Sequence, residues 1–438
     1  MKGSRCVAVL GAGRSGLAAA RLLHKQGARV LLSDHRSLSP QAREELAALG
    51  IAHEEGGHTG RILESELIVL SPGVPLEIPI LAKARKRGIP IIGELELAYR
   101  FCSSKRIVAV TGTKGKSTTA KLIGALLQAH GYKTVVAGNI GNPLSNGLEQ
   151  IDQETVVILE VSSFQLESIV DFHPWISLFL NFAPDHLERH GSLENYFRIK
   201  CRIFENQTEE DIAMVQERLL PSLPQLRPRV LTFKADDLPP QADGLFPHLR
   251  EDLAAALSSA RLIEPKIDLS KVDLKKALAM PHRLEFVAEI KGVKFYNDSK
   301  ATNVLAAMAA IAAFPDSRMT LILGGRAKGE SFSPLAEAVK ERDIEVLLIG
   351  EAAQAIAREL ERVGHRRFHF IRDFREAVCL ALELGQEICL LAPACASFDM
   401  FADYAARGEA FQEAVNRPSH SFVLTQPYHT PQQRPGQI

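Results

Sequence analysis

The chain has 438 residues, of which 46% are hydrophobic and 24% are charged. This length exceeds what one hydrophobic core usually serves, so two or three domains are expected, and the composition is that of a globular protein. Lysine plus arginine and aspartate plus glutamate are equal at 52 each, so the net charge indicates neither nucleic acid nor a membrane surface as a partner.

The sequence favours a cytoplasmic location. The N-terminus lacks the apolar core and cleavage site of a signal peptide, and no apolar run approaches the ~20 residues needed to span a bilayer. The six cysteines are scattered and form no C-x-x-C pair. They are therefore expected to be buried thiols in a reducing compartment, not part of a disulfide or zinc framework.

The first region, residues 1–97, alternates apolar strands with helical patterns, which predicts a parallel sheet with helices on its faces. A strand at residues 6–10 leads into the turn Gly11-x-Gly13-x-x-Gly16 and a helix at 17–25. Asp34 follows the second strand, as in the dinucleotide-binding fingerprint. Any nucleotide diphosphate suits such a turn, so a nicotinamide-dependent oxidoreductase and an empty Rossmann-like domain both remain alternatives at this point.

The second region, residues 98–280, opens with a shortened phosphate-binding loop. An apolar strand at 107–110 precedes the loop, and a helical pattern follows it. Glycines allow close approach of the backbone to phosphates, and the helix N-terminus and Lys116 attract their charge. A hydroxyl of Ser117 or Thr118 can hold the Mg²⁺ that accompanies ATP. A simple glycine turn capped by serine is the alternative.

Further polar residues follow neighbouring strands of this region. Glu160 ends a buried strand, and ligands of open α/β sheets gather at such strand ends, so Glu160 could bind Mg²⁺. An acidic residue at a strand edge without a role in binding is an equally supported alternative. Asp185 and His186 follow the next strand, predicted at 176–181. A histidine is atypical for Mg²⁺ and suggests a second, more tolerant metal position. Lys200 lies in an amphipathic helix. Because lysine side chains are usually exposed, residue type alone predicts that Lys200 lies on the helix surface.

The third region repeats the α/β pattern and is followed by a Pro- and Gln-rich tail. Its strands are predicted at residues 320–323, 346–349 and 388–391. The fold class is therefore α/β with three domains: an N-terminal Rossmann-like domain, a central domain of the P-loop ATPase type with a mostly parallel sheet, and a C-terminal Rossmann-like domain. The predicted boundaries are 1–97, 98–280 and 281–416, with a flexible tail at 417–438.

Taken together, these motifs resemble the Mur ligase family. The short phosphate loop, the Glu-Val-Ser-Ser-Phe-Gln-Leu run that starts at Glu160, and Asp185-His186 followed by Lys200 resemble its middle-domain signatures. The third-region runs at residues 281–285, 297–303 and 391–399 resemble the members that add D-glutamate. The resemblance extends over nearly the whole chain except the tail.

The resemblance implies an ATP-dependent ligase of cytoplasmic peptidoglycan precursor synthesis. Its expected substrates are UDP-N-acetylmuramoyl-L-alanine, D-glutamate and ATP. ATP would convert the alanine carboxylate into an acyl phosphate, the D-glutamate amine would attack it, and ADP and phosphate would be released. Neither nucleic acid nor a membrane is an expected partner, and a monomer is expected. The UDP moiety would occupy the glycine turn of the first region.

The resemblance also implies roles for individual residues. The catalytic group would be Lys116, Glu160, His186 and Lys200. Two Mg²⁺ sites would use Ser117, Glu160, His186 and Lys200, the last as a carbamate. ATP would contact Gly112, Thr113, Lys114, Gly115, Lys116, Ser117, Thr118, Arg283 and Asp298. UDP-sugar would contact Ser15, Asp34, Arg36, Gly73 and Asn139. D-Glutamate would contact Thr302, Lys328, Ser397, Phe398 and Tyr404.

Several positions depart from the family pattern. Lys114 stands where the family usually has Asn, and Leu249 and Asp252 stand where it has the Asn pair that approaches adenine. Arg326 and Ala327 replace an acidic residue common before the Lys328 position. The adenine contacts therefore stay open, and a non-catalytic UDP-sugar-binding relative remains an alternative.

Overall fold

The computed structural model describes residues 6–139, 141–235, 238–242, 245, 247–278 and 281–417. The chain divides after Leu278 into two compact units, here called the first and second unit. The predicted tail from residue 418 onward lies outside the described residues. Of the helices that the structure describes, none combines the length and apolar composition needed to cross a membrane.

The first unit begins with a five-stranded parallel sheet. Its strands are β1 (Cys6–Leu10), β2 (Arg29–Ser33), β3 (Ala52–Glu54), β4 (Leu67–Leu70) and β5 (Ile91–Gly93), in the order β3-β2-β1-β4-β5. Its helices are α1 (Arg14–Lys25), α2 (Pro40–Ala48), α3 (Pro79–Lys86) and α4 (Glu94–Phe101). Helix α1 begins earlier than predicted, because Gly13 of the glycine turn already serves as its N-cap.

A second, six-stranded parallel sheet follows in the same unit. Its strands are β6 (Ile107–Thr111), β7 (Thr134–Gly138), β8 (Val156–Glu160), β9 (Ile176–Phe179), β10 (Ile212–Gln216) and β11 (Arg229–Phe233). Its order is β11-β10-β9-β6-β8-β7. The predicted strand at 176–181 ends at Phe179. Because β6 lies between β8 and β9, the loops after these three strands meet at one sheet edge.

Helices cover both faces of this sheet, and short 3₁₀ turns connect several elements. The α-helices are α5 (Lys116–Gln128), α6 (Leu144–Gly147), α7 (Ser163–Leu166), α8 (Leu187–His190), α9 (Leu193–Cys201), α10 (Pro247–Ile263) and α11 (Leu274–Leu278). The 3₁₀ segments of the first unit are Gly60–Glu64, Leu148–Gln150, Arg202–Phe204, Glu217–Ser222, Pro240–Ala242 and Leu269–Lys271.

Two buried carboxylates of α4 connect the two sheets of the first unit. Glu94 accepts hydrogen bonds from the backbone N–H (3.0 Å) and the hydroxyl (2.6 Å) of Ser145, and burial raises the pKa of Glu94. Glu96 is 0% exposed and accepts three consecutive backbone N–H groups, those of residues 170–172, at 2.8–3.0 Å. Arg100 pairs with Glu96 at 2.9 Å. We call Glu94 and Glu96 the α4 clamp.

Replacing Glu96 with alanine is expected to lower the free energy of unfolding by about 3 kcal/mol, because a cation and three backbone N–H groups, one buried and two part-buried, lose one acceptor. Urea unfolding followed by the fluorescence of Trp175, the single tryptophan, measures the change. The exposed Glu44 on α2 provides the control, since its replacement is expected to change stability by about 0.5 kcal/mol or less. Equal effects of the two substitutions would contradict the role of the clamp.

The second unit contains a six-stranded mixed sheet. Its strands are β12 (Glu285–Ile290), β13 (Val293–Asn297), β14 (Met319–Gly324), β15 (Glu345–Ile349), β16 (Phe368–Phe370) and β17 (Ile388–Leu391). Their order is β12-β13-β17-β14-β15-β16. The helices are α12 (Val304–Ala312), α13 (Ser333–Glu341), α14 (Ala353–Arg362), α15 (Phe374–Leu384) and α16 (Tyr404–Asn416). The predicted α/β fold class is confirmed, with one mostly parallel sheet in each of the three predicted regions.

Only the β12–β13 pair is antiparallel within the described part of this sheet. Lys291 and Gly292 between the two strands both have positive φ, at 50° and 83°. Such values are typical of the two-residue hairpin turn whose twist matches the strands. This hairpin was not predicted from the sequence.

Candidate active site

The glycine-rich loop between β6 and α5 is held by the loop that follows β9. Lys114 donates its backbone N–H to the Asn181 side chain at 2.9 Å, and the Asn181 amide donates back to the Lys114 carbonyl at 3.1 Å. The Thr113 hydroxyl donates to the Ala183 carbonyl at 3.2 Å. The loop that follows β9 therefore fixes the backbone conformation of the glycine-rich loop.

Gly115 occupies a position that only glycine fits. Its φ is +80°, and a Cβ there would lie 2.0 Å from Oδ1 of Asp252. Asp252, on α10, is 4% exposed. Asp252 stands at one position of the Asn pair that approaches adenine in the family. In this chain that position is thus a buried carboxylate packed against the phosphate loop.

Two lysine side chains converge on one carbonyl of the loop. The Gly112 carbonyl accepts Nζ of Lys116 at 2.9 Å and Nζ of Lys200 at 2.8 Å. Lys116 also donates to the Thr113 carbonyl at 3.0 Å. Both nitrogen atoms therefore lie against the backbone of the loop that leads into the N-terminus of α5, a position that favours anionic groups.

Glu160, Ser117 and Asn139 form a hydrogen-bonded group beside these lysines. The Ser117 hydroxyl donates to Oε2 of Glu160 at 2.6 Å, and the Asn139 amide donates to Oε1 at 2.8 Å. Glu160 is 3% exposed. A carboxylate and a hydroxyl in contact next to a phosphate loop are oxygen ligands of the kind Mg²⁺ prefers.

Asp185 and His186 precede α8 at the same sheet edge. His186 has a left-handed φ of 51°, and its ring lies 3.7 Å from the Asp185 carboxylate and 5.0 Å from the ring centroid of Phe164. No cluster of three or more His, Cys, Asp or Glu side chains suited to a metal occurs among the described residues. A metal here would therefore need other ligands as well, such as the Ser117 hydroxyl, a modified lysine or a phosphate.

Lys200 is not a surface lysine, and the interpretation from residue type alone is wrong. Its side chain is 1% exposed on α9, and its ammonium lies 4.7 Å above the ring of Tyr196. Burial, reinforced by the charge of Lys116, holds the pKa of Lys200 well below its ordinary value, although Asp185 and Glu160 act in the opposite direction. A lowered pKa increases the neutral amine, which is the form that reacts with electrophiles such as carbon dioxide.

The predicted nucleotide residues of the first sheet lie together at its carboxyl edge. Asp34 accepts the backbone N–H of Ala12 in the glycine turn at 2.6 Å and that of Arg36 at 2.8 Å. The turn at residues 71–74 packs on Gly11, whose φ is +92° and whose added Cβ would lie 2.8 Å from Cβ of Ser71.

Of the other predicted nucleotide residues, Ser15 lies in the first turn of α1 and Gly73 in the turn at 71–74. Asn139 follows β7 and hydrogen-bonds Glu160, as described above. The Arg14 side chain donates to the Gly141 carbonyl at 3.4 Å. The structure therefore brings the start of α1 next to the segment that follows Asn139.

The predicted D-glutamate residues lie in the second unit, and two of them are in contact. Thr302 and Lys328 are in contact, with Nζ of Lys328 3.2 Å from the Thr302 hydroxyl. Ser397 is buried and Phe398 is 62% exposed, and the Tyr404 ring lies 5.7 Å from Nζ of Lys300.

The two predicted ATP residues of this unit adjoin one hydrogen-bonded pair of side chains, His282 and Asn297. Arg283 follows His282, whose Nδ1 lies 2.9 Å from the Asn297 amide. Asp298 follows Asn297 at the end of β13 and is 6% exposed.

Arg407 supports this region and was not predicted. It is 2% exposed, and its guanidinium donates to the carbonyls of Ser299 (2.9 Å), Cys395 (3.1 Å) and Ala396 (3.3 Å). Burial lowers its pKa to about 10. The signal that could have found it is periodicity, since Arg407 lies one turn before the buried Phe411 on α16.

Tyr196 was not predicted either, although helical periodicity could have identified it as well. It is 1% exposed, its ring stacks on His190 at 5.0 Å, and its hydroxyl lies 3.5 Å from that of Thr113. Tyr196, Lys200 and Ile203 form one buried stripe at helical spacing. That stripe could have placed Lys200 inside the protein.

Models of known families match three successive parts of the chain. The "Mur ligase MurD-like, N-terminal domain" matches residues 5–93, the "Mur ligase middle domain" residues 110–237, and the "Mur ligase, glutamate ligase domain" residues 282–395.

Curated relatives match over nearly their whole length. The UDP-N-acetylmuramoylalanine–D-glutamate ligase of Caldicellulosiruptor bescii is 40% identical, with 94% of this chain and 97% of the relative covered. The ligase of the same name from Geobacter metallireducens is 39% identical, with 94% and 97% covered.

Solved structures share the fold at low identity. The UDP-N-acetylmuramate-alanine ligase of Thermotoga maritima superposes with a TM-score of 0.57 at 18% identity, covering 94% of this chain and 99% of that one. The MurF ligase of Thermotoga maritima in complex with ADP has a TM-score of 0.57 at 16% identity, covering 88% and 94%. With three matching family models and relatives near 40% identity over almost the full length, the chain belongs to the Mur ligase family.

Proposed function

We propose that this protein is the ATP-dependent ligase that adds D-glutamate to UDP-N-acetylmuramoyl-L-alanine in peptidoglycan precursor synthesis. The observation that carries the proposal is the convergence of Lys116 and Lys200 on the Gly112 carbonyl, beside the Ser117–Glu160 pair. Relatives that match 94% of this chain carry the name of this ligase.

The chemistry requires a carboxylate to become an acyl donor. The γ-phosphoryl group of ATP passes to the alanine carboxylate, which gives an acyl phosphate and ADP. The D-glutamate amine then attacks the acyl carbon and loses a proton as the amide bond forms. The C–O bond to the phosphoryl group breaks, so phosphate leaves with one oxygen of the former carboxylate. Phosphoryl transfer depends chiefly on positioning and on neutralising charge. The backbone from Gly112 to Ser117, with the helix N-terminus of α5 and the Lys116 cation, supports the role of phosphate site. Thr113, Lys114 and Thr118 complete the proposed contacts.

The residues at the sheet edge fit two magnesium ions. Ser117 and Glu160 offer hydroxyl and carboxylate oxygens 2.6 Å apart, which suits one ion. His186 and Lys200 would hold the second, provided that the lysine is carbamylated, because only then does it carry an anionic oxygen ligand. Bound there, Mg²⁺ would neutralise phosphate charge. The depressed pKa of Lys200 supports its carbamylation.

The remaining residues supply the substrate sites of the proposal. Asp34, with Ser15, Arg36, Gly73 and Asn139, would hold the UDP-sugar. Lys328 and Thr302, with Ser397, Phe398 and Tyr404, would hold the D-glutamate carboxylates, for which a cation and hydroxyl donors are suited. Arg283 and Asp298 would contact ATP.

The proposed domains correspond to residues 1–97, 98–280 and 281–416. We further propose a monomer that works in the cytoplasm, where ATP and nucleotide sugars are supplied.

A phosphate-release assay tests the function. Release is expected only when ATP, UDP-N-acetylmuramoyl-L-alanine and D-glutamate are all present, and L-glutamate is expected not to replace the D-form. Binding of the UDP substrate without phosphate release would indicate a non-catalytic relative. Tight NADH binding without ATP turnover would indicate an oxidoreductase.

A further inference from the structure

We propose that Arg189 is a positioning residue that fixes the distance between the nucleotide site of the first sheet and the reacting site of the second sheet. This role rests on the proposed function, in which one substrate extends from the UDP site to the phosphate loop. Arg189 is not among the residues whose sequence context predicted ligand binding.

Arg189 forms a nearly buried ion pair within the second sheet's loops. Its Nε lies 3.2 Å from both carboxylate oxygens of Glu167, and its Nη2 lies 2.6 Å from Oε2. The side chains are 14% and 9% exposed. Such a two-oxygen contact fixes the plane of the guanidinium as well as its position.

The same guanidinium reaches the first sheet. Its Nη2 donates to the Val74 carbonyl at 2.9 Å. The Val74 side chain packs on the glycine turn, with Cγ2 2.9 Å from where a Cβ on Gly11 would stand. One atom of Arg189 therefore contacts both a carboxylate of the second sheet's loops and the residue next to Gly73 of the proposed UDP site.

Arg189 also contacts the segments that follow the proposed metal ligands. It lies three residues after His186, and its guanidinium carbon is 5.2 Å from the ring centroid of Phe164, four residues after Glu160. The Phe164 ring in turn lies 5.0 Å from the His186 ring. Arg189 thus belongs to the segment that follows His186, and its side chain contacts both the loop of the proposed UDP site and the segment that follows Glu160.

This arrangement fixes the distance between the glycine turn of the first sheet and the phosphate loop of the second sheet. A substrate anchored by its diphosphate at the glycine turn must place its far carboxylate at the phosphate loop, and an error of about 1 Å in such placement can cost about 100-fold in rate. Lysine cannot reproduce the contact, because its single ammonium has no planar set of donors for a carboxylate and a carbonyl together.

The experiment compares the binding of UDP alone with the turnover of the complete substrate, UDP-N-acetylmuramoyl-L-alanine. For Arg189→Met, kcat/KM for UDP-N-acetylmuramoyl-L-alanine is expected to fall about 100-fold. The Kd for UDP alone, measured by calorimetry, and the KM for ATP are expected to stay unchanged. Arg189→Lys is expected to show an intermediate loss, and it replaces the methionine variant if that one does not fold.

Arg342→Met is the matched control, since Arg342 is likewise a part-buried arginine whose guanidinium holds separate residues together, here the carbonyls of Ile311, Phe314 and Ser317. It is expected to lower stability without the selective loss of kcat/KM. Weakened binding of UDP alone would overturn the proposal, because Arg189 would then only support the first loop. Unchanged kcat/KM would overturn it as well. Absence of turnover by the unsubstituted chain would instead refute the proposed function.

Discussion

Replacing Lys200 with alanine is expected to lower kcat by about 10³-fold, the scale of removing one electrostatic group from an active site. The side chain is buried and donates to the Gly112 carbonyl, which also accepts Lys116. In the proposed mechanism a carbamate on Lys200 supplies an anionic metal ligand. A steady-state phosphate-release assay measures the loss.

Rescue separates this role from a purely structural one. Because alanine leaves space where the lysine stem lay, a short carboxylate such as formate or acetate is expected to restore part of the activity of Lys200→Ala. The exposed Lys133, which pairs with Asp152 on the surface, is the control lysine, and its alanine variant is expected to be fully active. Near-normal activity of Lys200→Ala without added carboxylate would refute the carbamate assignment.

Replacing Glu160 with glutamine is expected to lower kcat by about 10²-fold or more and to raise the Mg²⁺ concentration needed for half-maximal rate. Glutamine keeps the shape of the side chain, but it removes the negative charge between the Ser117 hydroxyl and the Asn139 amide. A Mg²⁺ titration of initial rates provides the measurement.

The control for this substitution lies just before the same strand. Glu154 pairs with Arg106 at 3.8 Å, and its side chain is 89% exposed. Glu154→Gln is therefore expected to leave the Mg²⁺ dependence unchanged. If Glu160→Gln turned over at the normal rate with the same Mg²⁺ requirement, Glu160 would not be a metal ligand.

The architecture was predictable from the sequence because buried parallel strands are continuous apolar runs with recognisable ends. The strand before Glu160 and the strand before the glycine loop were both identified correctly. Since the carboxyl ends of neighbouring parallel strands meet at one edge, the contact between Ser117 and Glu160 followed from their places on the chain.

The environment of Lys200 was less accessible to sequence reasoning. A lysine on a helix is usually exposed, so residue type outweighed the buried stripe that includes Tyr196. The carbonyl that Lys200 contacts belongs to Gly112, which is 88 residues away in the chain. Local patterns do not show such a partner, and the lowered pKa follows from that distant environment.

Contacts between separate elements were the least predictable. Arg407 donates to carbonyls of two loops that come together only in the folded second unit. The link from Arg189 to Val74 spans 115 residues. Backbone carbonyls are present at every residue, so a sequence gives no indication of which ones an arginine will select.

The α4 clamp determines where the chain can be divided. Four backbone N–H groups of the second sheet's segments, at residues 145 and 170–172, are paired only with carboxylates contributed by α4 in the described structure. A fragment starting after Phe101 would lose the acceptors of these donors and would expose the apolar surface beside the second sheet that Leu95 and Ala98 of α4 cover. The sequence suggests a domain boundary between the first two sheets. This boundary is nevertheless a poor place to divide the protein for expression or isotope labelling. Fragments that keep α4 with the second sheet are the better choice.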